Sequence, residues 1–306
     1  MIYLAAEHFV RAPAWTWYIL GYFFFAGLCG GCYAVATLLR LVGDPRDEPA
    51  ARLGFYASFV ALLFCPILLT VDLGLSWLKF WHMLINVTPG DTGLSFKYWS
   101  PMSVGAWALF ILGLFVTVSA FEAFVLDRRK RAQPFGGAAG RAFNIVGGVL
   151  ALFFASYTGV LLSVSNQPIW SDTWMLGALF LASGLSGSAA LIALLTRYRP
   201  EAAFTLDRIL EAEAYFSILE LVVLVLFFIT INAAGTAGRT LPLLPLWLIA
   251  LGGIAASLVA SRGHLRILPG SRSAVIARAT TNVLAIAIPV LVGVLALRAA
   301  VIFSAQ

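Results

Sequence analysis

Eight stretches of this 306-residue chain are each long and apolar enough to cross a lipid bilayer, and that leaves few folds open to it. They run roughly Trp15–Leu41, Arg52–Leu78, Pro101–Leu126, Arg141–Val164, Trp174–Thr196, Ile209–Ala233, Leu241–Ser261 and Ala279–Phe303. About 20 apolar residues in a helix span the hydrocarbon core, and a helix satisfies its own backbone polar groups where no water can. The sequence therefore predicts an all-α integral membrane protein with eight transmembrane helices. Apolar residues make up 61% of the chain and charged ones 11%, which excludes an ordinary soluble domain. Residues 1–14 read as an N-terminal tail, and the apolar stretch that follows is too long for the core of a signal peptide, so it reads as a retained helix.

The formal charge of +6 could suggest a nucleic-acid partner, but the cations are sorted by connection. Connections after the first, third, fifth and seventh spans carry 15 of the 20 lysines and arginines, including the run Arg128-Arg-Lys-Arg131. The other side holds Arg11, Lys79, Lys97, Arg239 and Arg298. Basic connections stay in the cytoplasm, so topology explains the charge without nucleic acid, and both termini are expected outside the cytoplasm. An internal repeat appears at an offset of 157 residues. Trp17, Phe23, Gly27, Leu28, Gly30, Ala36, Leu38 and Arg40 of the first span match Trp174, Phe180, Gly184, Leu185, Gly187, Ala193, Leu195 and Arg197 of the fifth. Four spans separate the copies, so the halves share one orientation. The expected architecture is two four-helix bundles side by side, residues 15–164 and 171–303, in a single membrane unit. The small residues of Gly27–Gly31 and Ser183–Ser188 would let helices approach closely. Cys29, Cys32 and Cys65 all fall inside apolar spans, which argues against disulfides and iron–sulfur ligands; Cys29-Gly-Gly-Cys32 reads as two small apolar packers.

Two stretches go beyond generic membrane architecture. One runs from Asp72-Leu-Gly through Lys79-Phe-Trp-His82-Met-Leu to Tyr98-Trp-Ser-Pro-Met-Ser-Val-Gly-Ala-Trp107; the other is Tyr157-Thr-Gly-Val-Leu-Leu-Ser163 with Pro168 and Trp170 after it. With the Gly-rich first span, these resemble the NrfD/polysulfide reductase membrane-subunit family, most closely over Trp15 to Trp174. The resemblance implies a quinone-interacting subunit in a bacterial or archaeal cytoplasmic membrane, usually without haem. It implies that the chain anchors an iron–sulfur electron-transfer subunit and a catalytic subunit, often a molybdopterin enzyme, on the outer face. The expected cofactor is menaquinone or ubiquinone. Independently of the family, a di-haem arrangement would need facing histidine pairs inside spans, whereas His8, His82 and His264 all lie in connections or the tail.

Candidate chemistry follows from the few polar groups near or within the spans. Tyr157, near the outer end of the fourth span, offers a phenol donor to a quinone carbonyl, and the family tyrosine in this context is a quinone ligand; an interfacial tyrosine is the plainer reading. His82 lies in the outer connection and can donate to a quinone oxygen and exchange its proton, or order the loop or a docking surface. Asp72 reads as an ionisable residue about six positions inside the second span, relaying protons, orienting His82, or paired with Lys79. The family pattern places polar quinone contacts on the first helix, where this chain offers Thr16 and Trp17, the latter also a plausible member of an aromatic belt. On the sixth span Glu213, Ser217 and Glu220 share one stripe, which reads as a proton path or as acids paired with Arg208 or a neighbouring arginine. Glu122, near the cytoplasmic end of the third span, joins the proton-path candidates and is expected to pair with Arg128 or Arg129. The alternatives to a quinone subunit are a secondary transporter, suggested by the repeat and Glu220, and a passive membrane anchor of a soluble enzyme.

Overall fold

A computed structural model describes residues 11, 13–74, 81–129, 136–260 and 283–306. Its helices are α1 (Trp17–Val42), α2 (Glu48–Asp72), α3 (Pro101–Arg129), α4 (Gly137–Ser163), α5 (Leu176–Thr196), α6 (Leu206–Ala233), α7 (Leu244–Ala260) and α8 (Val283–Phe303). Counting the 3-10 turns that lead into α2, α6 and α7, all eight are long and apolar enough to cross a membrane, and the chain is a multi-pass all-α membrane protein.

Local chemistry sets the helix ends. Before α2, Asp44 accepts from the Arg46 amide while its own amide donates to Asp47 Oδ2 at 2.8 Å, a reciprocal cap with Pro45 next to it. Hydrogen bonds from the Arg46 side chain and amide hold the Asp44 carboxyl down at about 2. The helix α2 ends at Asp72, and the expected span end at Leu78 lies outside the described residues. Gly74, at φ +62°, takes the left-handed conformation that closes helices. Between α2 and α3 the chain forms a hairpin, β1 (Ile85–Thr88) and β2 (Asp91–Leu94), turning at Pro89-Gly90 with Gly90 at φ +88°. The indole N–H of Trp107 donates to the Ser95 carbonyl at 2.8 Å, tying the hairpin to the first turns of α3.

α1 packs against α2, α4 and α5, and α5 against α6, α8 and α4; α3 lies against α2 and α4, and α7 against α6 and α8. α1 and α5 are the most buried helices. Their contact is built from the small residues the sequence singles out: Gly31 faces the Gly184 carbonyl and Ser188, and Ser188 Oγ donates to the Leu28 carbonyl at 3.3 Å. Repeat-matched residues touch each other here. The rings of Phe23 and Phe180 meet edge-to-face at 6.0 Å, and Gly27 lies opposite Gly184. These contacts join positions that the sequence repeat matches to each other.

Candidate functional site

One end of the molecule carries the hairpin, the start of α3 and the end of α4; the opposite end carries most of the arginines. At the hairpin end, Tyr157 is buried, and its hydroxyl donates to the carbonyl of Pro101, the first residue of α3. Its ring occupies the space beside Gly105, where a Cβ would collide with it. Tyr22 of α1 is also buried, its ring 5.5 Å from that of Phe23. Tyr157 thus sits buried between α4 and the start of α3 rather than at the lipid surface.

The other quinone-site candidates are placed differently. His82 is half-buried in a short turn after α2, with the Trp81 ring edge-on at 4.0 Å. Asp72 is the last residue of α2 and is exposed; the expected span end at Leu78 lies outside the described residues. A carboxylate at an exposed helix end needs no proton pathway to account for it. Lys79, its suggested partner, lies outside the described residues, as do His8 and His264. Among the described residues no hydrogen bond or ion pair joins Asp72, His82 and Tyr157. Thr16 occupies the N-cap of α1, exposed and without a side-chain cap bond. Trp17 is 72% exposed and meets Phe303 of α8 edge-on at 5.2 Å, so it faces away from Tyr157's neighbourhood. Trp15 turns inward instead and stacks on Trp170 at 5.2 Å, whose indole N–H donates to the Val301 carbonyl.

A second polar cluster lies inside α5–α8. Glu213 is fully buried and accepts from three hydroxyls: Ser217 at 2.8 Å, Ser257 at 2.6 Å and Ser186 at 3.4 Å. Ser186 and Ser217 are 3.2 Å apart. These hydroxyls satisfy the carboxylate without a cation, and Arg208, the alternative partner for this stripe, pairs with Asp47 instead. Glu220, 2% exposed, lines a narrow cavity with Ser186, Ser217 and the apolar faces of α7 and α8. Beyond it is Arg298, which the sequence assigns to an outer connection but which is fully buried in α8. Its guanidinium donates to the carbonyls of Phe23 and Phe180 and to Ser183 Oγ, at 3.1, 3.2 and 2.8 Å, and lies over the Phe180 ring. Gly27 leaves it room. A cation five residues inside an apolar span was the available signal, and a charge count by connection overlooks it.

At the arginine-rich end Glu122 pairs with Arg40 at 2.8 Å, not with Arg128 or Arg129. Arg128 is six residues further along α3 and lies on another face, whereas Arg40 reaches Glu122 from the adjoining end of α1. Arg40 also grips Glu48 with two hydrogen bonds of 2.6 and 3.1 Å. Asp127 is shared by Arg52, Tyr56 and Arg199, with the last two at 2.9 and 2.7 Å. The described residues include no cluster of three or more His, Cys, Asp or Glu able to hold a metal ion.

The profile of the family described as "Polysulphide reductase, NrfD" matches residues 6–306. The chain belongs to this family. Among NrfD-like relatives it is 28% identical over 218 residues to Protein NrfD of Escherichia coli, a match covering 65% of each chain. It is 31% identical over 185 residues to a polysulfide reductase chain of Wolinella succinogenes, covering 56% of this sequence and 55% of that one. A third relative, a selenate reductase subunit of Mesobacillus selenatarsenatis, is 23% identical over 120 residues, or 39% of this sequence and 25% of the relative. The matches thus span a quarter to just under two thirds of the length of these relatives.

Proposed function

We propose that this protein is the quinone-binding membrane subunit of a multi-subunit oxidoreductase. It exchanges electrons with an iron–sulfur subunit seated on the hairpin end, which in turn serves a catalytic subunit, often a molybdopterin enzyme. The observation that carries this reading is membership of the NrfD family along almost the whole chain. Two relatives are, by name, components of a polysulfide reductase and a selenate reductase, which supports a subunit role. The arginine-rich end faces the cytoplasm of a bacterial or archaeal cell, leaving both termini outside.

Bound quinone, menaquinone or ubiquinone, supplies a two-electron, two-proton couple at this membrane. Tyr157 suits it: the phenol is buried, and its oxygen, while donating to Pro101, retains lone pairs that accept from a quinol hydroxyl. Rotation of the hydroxyl away from Pro101 turns the same group into a donor to a quinone carbonyl. His82 lies on the same side, with ring nitrogens able to donate to or accept from a quinone oxygen. The Glu213–Ser217–Glu220 cluster supports proton movement through the second half, since hydroxyls both donate and accept. Replacing Tyr157 by Phe removes one hydroxyl and little volume. With the complex still assembled, quinone-coupled turnover falls at least tenfold, about 1.4 kcal/mol of lost stabilisation. Unchanged turnover in the assembled variant contradicts the role given to Tyr157.

A further inference from the structure

We infer that one face of α1 forms a proton route through the first half of the molecule, between the Arg40–Glu48–Glu122 cluster and Tyr157. This rests on the quinone reading and adds what that reading lacks, a supply line to the buried phenol. Tyr22, Cys29, Tyr33, Thr37 and Arg40 follow one another at intervals of seven, four, four and three residues, which places them on a single helical face. Eighteen residues at 1.5 Å each cover about 27 Å, close to the thickness of the hydrocarbon core. All five side chains are buried, although most faces of a membrane helix carry only hydrocarbon.

Neighbouring helices answer this face with polar groups. Tyr33 and Ser119 of α3 share a 3.0 Å hydrogen bond, and Ser58 of α2 donates to the Cys29 carbonyl at 2.7 Å with the Cys29 thiol 3.6 Å from its oxygen. Opposite Tyr33 and Thr37, α4 presents Gly147 and Gly148, with Asn144 one turn away. Thr37 Oγ1 and Asn144 Oδ1 are buried without any hydrogen-bond partner, and each residue is only 4% exposed. Two orphaned polar atoms flanking one stripe are met most simply by water, which completes the line between Arg40 and Tyr33. At the arginine-rich end Glu48 is 19% exposed and opens the cluster to solvent. At the other end Tyr22 is buried on α1, which packs against α4, the helix that carries Tyr157. For each quinone reduced, two electrons arrive from the docked electron-transfer subunit and two protons from the arginine-rich side along this face; quinol oxidation runs both in reverse.

The test uses the intact complex in proteoliposomes with a trapped pH dye on the arginine-rich side, comparing wild type with Tyr33→Phe and the near-isosteric Thr37→Val. Bound quinone is quantified by extraction in every sample. Hydroxyl-radical footprinting of the resting complex reads water at Tyr33 and Cys29 independently of turnover. The route predicts oxidation of Tyr33 and Cys29, one proton taken from the dye compartment per electron, and at least a tenfold drop in that uptake in both variants with quinone content unchanged. Quinone retained with full uptake in both variants, protons drawn from the hairpin side, or Tyr33 and Cys29 protected from radicals each overturn the route while leaving the quinone site standing. Absence of quinone from the wild-type complex removes the site itself.

Discussion

Arg298 meets no carboxylate directly among the described residues; two main-chain carbonyls and a serine hold it. Removing the guanidinium takes its three hydrogen bonds from Phe23, Phe180 and Ser183 and the long-range charge from buried Glu220, so Arg298→Met is expected to lower stability by about 3 kcal/mol. The same change beside Glu220→Gln is expected to cost roughly 1 kcal/mol, and unfolding in mild detergent checks this as a double-mutant cycle. Strict additivity would show that the two residues do not communicate. Glycines give a second contrast. A Cβ on Gly31 meets the Gly184 carbonyl and Ser188, whereas one on Gly252 meets nothing. Gly31→Ala is predicted to cost about 1–3 kcal/mol and Gly252→Ala to stabilise by up to about 1 kcal/mol; melting curves that match would contradict the α1–α5 contact. At this scale the sequence revealed residue types but not partners. Glu213, Ser217 and Glu220 were legible as one stripe from their spacing. Ser186 and Ser257, which complete it, come from other helices, and single-chain periodicity carries no information about them.

Asp127 joins helices that the sequence treats separately. Its carboxylate is shared by Arg52 and Tyr56 of α2 and by Arg199 in the connection between α5 and α6. Asp127→Asn leaves two arginines facing each other without the anion, and a loss of about 1–2 kcal/mol is expected, softened because the site is only half-buried. The loss should shrink at high salt, as seen in melting temperature; a salt-independent loss would point to packing instead. Helix positions were readable because each span is bounded by charged or turn-forming residues, and the described ends fall within a few residues of expectation, while the expected ends at Leu78, Ser261 and Ala279 lie outside the described residues. The hairpin was not foreseen, although Pro89-Gly90 between Ile85-Asn-Val-Thr and Asp-Thr-Gly-Leu94 carried its signal. Strand patterning of four residues is too short to stand out beside spans of more than twenty.

Across the whole molecule, repeat-matched residues meet along the α1–α5 contact, and the polar groups described above fall in three places: the Tyr157 region, the α1 face with its arginine-rich cluster, and the Glu213–Arg298 line. The repeat and the charge bias were plain in the sequence, since both are properties of order along the chain. Burial of Arg298 and exposure of Asp72 depend on how helices end and pack, and the sequence misplaced both. Quinone binding beside an electron-transfer partner is the property we propose for this protein. Purification from native membranes in mild detergent, followed by organic extraction and mass analysis of the co-purifying proteins, tests it most directly. The account predicts bound menaquinone or ubiquinone near one per chain, retained together with an iron–sulfur subunit. A gently purified protein that carries neither would contradict it.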